Sequence, residues 1–205
     1  RSFRPMRKIG VLMDPPGRIR PAKDSTVAML RAASRRGHEI LVCGQSDLVL
    51  APGGASARFQ SLQVLAGNDP WFSAGERRIL RLDELDVLML RKDPPVDTAF
   101  LHDQLWASMA REPRPLLVNH PQALRDCNEK LFALEFPQCC PPTLVARDAA
   151  HLREFVAEHD QCVLKPIDGM AGRSIFRSHR GDPNLNVILE TLTDNGRLLR
   201  PLQGV

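Results

Sequence analysis

Two lysines and a glycine-rich turn are the residues of this sequence with the clearest chemical potential. Lys165 sits near the end of Cys162-Val163-Leu164-Lys165-Pro166, an apolar strand-like run with one cation. An ammonium there loses hydration, so it either snorkels to water or neutralises an anion. The turn Asp168-Gly169-Met170-Ala171-Gly172 follows, and Ser174-Ile175-Phe176 reads as a return strand. Glycines let backbone N–H groups approach a phosphate, although most short glycine pairs are plain hairpin turns. Lys130 follows Cys127-Asn128-Glu129 at the start of a short helical piece. Together these parts could hold a phosphate-bearing anion. They match neither the P-loop nor the dinucleotide fingerprint.

A second group lies in the first half. Asp14-Pro15 ends one apolar strand, Lys23-Asp24-Ser25 opens a helix, and Arg91-Lys92-Asp93 ends another strand. In a parallel α/β sheet the carboxyl ends of the strands line the ligand crevice. Asp14, Asp24, Ser25, Arg91 and Asp93 are therefore expected to converge as a substrate-binding set. The helix start offers free N–H groups to a carboxylate, and an arginine can fork onto one. Taken singly, each residue also suits ordinary caps and turns. The six histidines show no helical ligand pairing, and there is no HExxH, no GxSxG and no acidic metal cluster, so no residue is assigned to a metal.

The elements that must position these groups alternate. Residues 8–13 read as a buried strand. A helix capped by Asp24 or Ser25 follows and stops at Gly37, and residues 38–43 form the next strand. Strand, helix, strand at this spacing is a βαβ unit with parallel pairing. Residues 47–65 read as a hairpin around Gly53-Gly54, 86–90 as a third core strand, 98–110 as a helix and 116–118 as a fourth strand. A domain boundary is placed near 120–128. Beyond it come helical pieces at 121–126 and 128–135, a strand at 143–145 and a helix capped by Asp148. After the lysine strand and its return, a helix runs from about Asn184 to Leu192.

Bulk properties narrow the class. The 205 residues, 43% hydrophobic and 25% charged, are globular in composition. The net charge of +4 is spread along the chain and aromatics are only 5%, which argues against nucleic acid and suits small anions. No apolar run can span a bilayer, and the short apolar stretch at the start is no signal peptide. Met6 reads as a native start, with Arg1 to Pro5 an appended or upstream extension. Five cysteines without a Cys-x-x-Cys pair point to reduced thiols, and cytoplasm is the expected compartment.

Longer strings point to a family. MDPP, KDSTVAMLRAASRRGHE, LMLRKDPPVDTAF, VNHPQALRDCNEKLFALEFP, LKPIDGMAGRSIFR and GDPNLNVILETLT resemble bacterial glutathione synthetase of the ATP-grasp superfamily, from about Lys8 to Asp194. The resemblance implies an α/β fold. A parallel-sheet pre-ATP-grasp, substrate-binding domain would cover 1–120. An incomplete ATP-grasp portion would cover 121–205, with its lid subdomain at about 129–196. It also implies an ATP- and Mg²⁺-dependent carboxylate–amine ligase. ATP would phosphorylate γ-glutamylcysteine and glycine would attack the acylphosphate, giving glutathione, ADP and phosphate.

By the same resemblance Lys130, Lys165, Gly169, Met170, Ala171, Gly172 and Ser174 would bind ATP. Lys165, Gly169 and Gly172 would serve catalysis, and the strand-end set would serve the peptide substrate. The partners would be small molecules, with neither nucleic acid nor membrane, and self-association would follow the family. Two departures stand out. Ala171 replaces a family glycine in the loop, and the resemblance fades after Gly196. In the family a further segment supplies the Mg²⁺ ligands and much of the central sheet, so the 205-residue chain is expected to be inactive by itself. Beside this reading stand a non-catalytic binding module and another ATP-grasp ligase.

Overall fold

The computed structural model describes residues 5–110, 113, 115–169, 174–193 and 202–204. The chain divides into two compact units. One comprises Arg1–Asp93 with Thr98–Arg125, the other Pro94–Asp97 with Asp126–Val205.

The first unit is built on a seven-stranded sheet. Strands β1 (Lys8–Met13), β2 (Glu39–Cys43), β6 (Val87–Arg91) and β7 (Leu116–Val118) run parallel, in the order β2-β1-β6-β7. Helix α1 (Ser25–Arg35) joins β1 to β2, and α2 (Thr98–Ala107) joins β6 to β7. The continuous apolar run of β1 follows from burial of both faces. Ile9, Val11 and Met13 pack with Val27 and Leu30 of α1, while Leu12 packs with Leu88, Leu90 and Trp106 of α2 on the other side. Asp24 caps α1 by accepting from the Val27 N–H at 2.9 Å. Gly37, at φ +75°, supplies the left-handed turn after it.

An antiparallel extension makes this sheet mixed. The hairpin expected at 47–65 is present as β3 (Leu48–Ala51) and β4 (Gly54–Val64). Strand β5 (Phe72–Arg81), for which no element was expected, pairs along most of β4. Its residues are largely exposed and only Leu80 is buried, so the period-2 signal is faint. Helix α3 (Pro121–Asp126) follows β7.

The second unit holds a four-stranded antiparallel sheet in the order Phe176–Ser178, Cys162–Pro166, Leu202–Gly204, Leu144–Ala146. Its strands are β8 (Leu144–Ala146), β9 (Cys162–Pro166), β10 (Phe176–Ser178) and β11 (Leu202–Gly204). Helices α4 (Ala149–Glu158) and α5 (Leu185–Thr193) cover one face. Leu152, Phe155 and Val156 from α4 meet Cys162 and Leu164 from β9 and Ile188, Leu189 and Leu192 from α5. Asp148 caps α4 as expected, accepting from the Ala150 N–H at 2.8 Å.

Three local expectations are corrected. Residues 128–135 give a turn and a short 3₁₀ segment at Phe132–Glu135 rather than a helix. The return strand starts at Phe176, because Ser174 sits in the left-handed region at φ 56°. Strand β11 lies in the tail where no element was expected. There Gly204 is required by close packing, since a Cβ would fall 2.9 Å from the Phe155 ring.

Candidate functional site

In the first unit the expected substrate set is brought together. Met13 and Arg91 are register partners, so the ends of β1 and β6 lie side by side, next to the start of α1. Arg91 donates from Nε to Thr26 Oγ1 at 3.0 Å and from a terminal nitrogen to Ser25 Oγ at 2.9 Å. Lys92 Nζ stands 3.0 Å from Asp14 Oδ1 and donates to the Asp93 carbonyl at 2.7 Å. The Asp93 N–H donates to the other Asp14 oxygen at 3.1 Å. Asp14, Asp24, Ser25, Arg91 and Asp93 thus form one polar cluster. Desolvation, followed by the charges of Asp14 and Asp24, holds the Asp93 carboxyl above the usual carboxylate range.

Sequence reasoning missed one member, Thr26, and named Lys92 only as part of the converging segment Arg91-Lys92-Asp93. Thr26 is buried behind the helix cap and its hydroxyl receives Arg91. Its signal was the hydroxyl pair Ser25-Thr26 just after a capping Asp. Cation, hydroxyls and carboxylates side by side suit a ligand carrying both a carboxylate and an amine.

In the second unit, β9 alternates. Cys162, Leu164 and Pro166 are buried, while Val163 and Lys165 are half-buried on the face away from the helices. Arg177 is the register partner of Val163 and shares that face. Among the described residues the Lys165 ammonium has no hydrogen-bond or ion-pair partner.

Lys130 is the more enclosed lysine, with its side chain 11% exposed. Its ammonium donates to the carbonyls of Gly169 at 2.8 Å and Ile167 at 3.4 Å, and it pairs with Glu129 at 3.0 Å. It therefore grips the chain just beyond Lys165. Gly169 is half-buried, and Ser174 is exposed in its turn. Met170, Ala171 and Gly172 lie outside the described residues. Among the described residues no three His, Cys, Asp or Glu side chains group to hold a metal ion.

Solved structures give the class. A D-cycloserine synthetase superposes with a TM-score of 0.60 over 96% of this chain and 58% of its own, at 16% identity. A RimK-domain ATP-grasp protein from Sphaerobacter thermophilus superposes with a TM-score of 0.56 over 96% and 62%, at 15% identity. At such identities the likeness concerns fold alone: the chain shares the architecture of these two proteins.

The family is narrower. The prokaryotic glutathione synthetase N-terminal domain matches residues 7–125, and the ATP-grasp domain of the same family matches residues 129–203. The chain belongs to the prokaryotic glutathione synthetase family. Glutathione synthetases of Xanthomonas axonopodis pv. citri and Pseudomonas putida are 55% and 50% identical to it, each over 92% of this chain. The chain spans about 60% of the length of these curated relatives. The match reaches past Gly196, where the resemblance was expected to fade. The tail that reads as unrelated includes β11, which pairs with both β8 and β9.

Proposed function

We propose that this chain carries the substrate and nucleotide-phosphate groups of a glutathione synthetase. The reaction is the ATP-dependent joining of γ-glutamylcysteine to glycine. The acid's carboxylate attacks the terminal phosphorus and ADP leaves. Glycine's amine then attacks the acyl carbon and phosphate leaves, giving glutathione.

The family match over both units supports the reaction class. The observation that carries the assignment to residues is the disposition of the lysines. Lys165 stands half-buried on the sheet face away from the helices, and Lys130 is bound to backbone carbonyls close after it in the chain. Cations so placed would meet phosphate oxygens at little reorganisation cost. Gly169, Met170, Ala171, Gly172 and Ser174 complete the proposed nucleotide set. Arg91 and Ser25 would take a substrate carboxylate, and Asp14, Asp24 and Asp93 would face its ammonium.

The ATP-grasp fold implies Mg²⁺ beside ATP. Among the described residues no three His, Cys, Asp or Glu side chains group together, and the proposed roles run through the chain's own cations and hydroxyls. Cytoplasmic placement and self-association go with this reading as proposals. Among the described residues no helix is long and apolar enough to cross a membrane.

The test is ADP release by a protein of full family length carrying this sequence, offered different acid–amine pairs. Turnover with γ-glutamylcysteine and glycine is expected. Turnover confined to an unrelated acid would assign the chain to another ATP-grasp ligase.

A further inference from the structure

We infer that Asn128 is a positioning residue that sets both Lys130 and the chain segment Lys130 grips. Its side chain uses both ends. Oδ1 accepts from the N–H groups of Lys130 at 3.0 Å and Leu131 at 3.3 Å. Nδ2 donates to the Ile167 carbonyl at 3.2 Å. The first pair of bonds is an Asx-type turn, which fixes where the Lys130 side chain departs from the backbone. The third ties that turn to the residues after β9.

Other donors continue the pattern. Three successive carbonyls, those of Ile167, Asp168 and Gly169, all accept from outside their own segment. Ile167 takes Asn128 and Lys130, Asp168 takes the Val96 N–H at 3.3 Å, and Gly169 takes Lys130. A run of outward carbonyls bound by donors from 96, 128 and 130 is held in one conformation. Asn128 alone in this set touches both the lysine's backbone and its target segment. A capping role needs only Oδ1, and Asp or Ser would serve it equally well. The Nδ2 bond goes beyond capping.

The inference rests on the reading of Lys130 as a phosphate lysine, and the experiment separates the two. Asn128→Asp and Asn128→Ser keep a capping oxygen and remove the Nδ2 donor, and Lys130→Ala is the control. One readout is the carbonyl carbon resonances of Ile167 and Gly169 in the 205-residue chain, without nucleotide. The other is ATP affinity by calorimetry.

Asn128 makes no bond to the Gly169 carbonyl, so a shift at Gly169 in the Asn128 variants reports action through Lys130 or through the Ile167 segment, the two things Asn128 is inferred to set. That shift is expected, together with a roughly three- to tenfold weaker ATP affinity, the worth of one hydrogen bond. Melting temperature should be nearly unchanged. An unmoved Gly169 carbonyl in both variants overturns the positioning role, as does unchanged ATP affinity where Lys130→Ala loses it. If Lys130→Ala itself leaves ATP affinity unchanged, the phosphate-lysine reading falls instead. Should Asn128→Asp fail to fold, Asn128→Ser decides.

Discussion

The two units treat their charges differently. At the strand ends of the first unit, cations meet partners of the same cluster: Lys92 faces Asp14, and Arg91 rests on the Ser25 and Thr26 hydroxyls. In the second unit Lys165 has no partner among the described residues, and Lys130 spends its ammonium on neutral carbonyls and one exposed Glu129. A self-paired cluster is preorganised and selects a ligand by shape and hydrogen bonding. Lys165, with no counter-charge among the described residues, gains more from an arriving anion than Lys92, which Asp14 already faces. Packing differs in parallel. The parallel strands at the centre of the first sheet are buried on both faces, whereas among the described residues helices pack on one face of the second.

The packing difference predicts the largest effect. Phe59 is fully buried on β4 against the first core. Phe59→Ala should cost about 3–5 kcal/mol of stability. Trp71 and Trp106 are the chain's two tryptophans, and both are buried in the first unit. Their fluorescence during urea unfolding reads this cost, and a loss near zero would mean that Phe59 does not pack in that core.

The charge difference predicts the next. Lys165→Ala should weaken ATP binding by about 1.5–3 kcal/mol, the worth of a charge-assisted bond, with melting barely moved. Unfolding with unchanged affinity would make Lys165 structural. In the first unit Arg91→Lys keeps the charge but loses the fork onto Ser25 and Thr26. Affinity for γ-glutamylcysteine should fall by roughly 1 kcal/mol, measured by calorimetry, while ATP affinity stays the same.

What the sequence made legible follows from local signals. The apolar run of β1, the Asp24 cap and the Gly37 stop defined the βαβ unit, and parallel topology then forced the strand ends together. What it hid depends on long-range pairing. Strand β5 has one buried side chain, Leu80, and is held by β4. Strand β11 is three residues long and exists because β8 and β9 flank it. The relative burial of the lysines was also illegible. Lys165 carries the apolar context, yet Lys130, in a polar string, is the lysine enclosed by carbonyls it meets only in the fold.

The smallest effects concern pH and have opposite signs in the two units. Asp93 has a raised pKa when folded, so its charging opposes folding as pH rises through that value. Asp93→Asn should match the parent below about pH 4 and exceed it by about 0.5 kcal/mol or less near neutrality. Asp182 in the second unit has a lowered pKa, because its carboxylate accepts from the Asn184 N–H and the Ser178 hydroxyl. Its stabilisation is present above the unfolded value and lost as pH falls through the folded one. Asp182→Ala should therefore lower the melting temperature at neutral pH and converge with the parent in acid.

The most direct test of the division of labour is an amide-resonance titration of the 205-residue chain, once with ATP and once with γ-glutamylcysteine. ATP should move the amides around Lys130, Lys165 and Ile167–Gly169 and leave those of Asp14, Ser25 and Arg91 in place, with the peptide doing the reverse. ATP shifts centred on the strand-end cluster, or peptide shifts centred on the lysines, would contradict it.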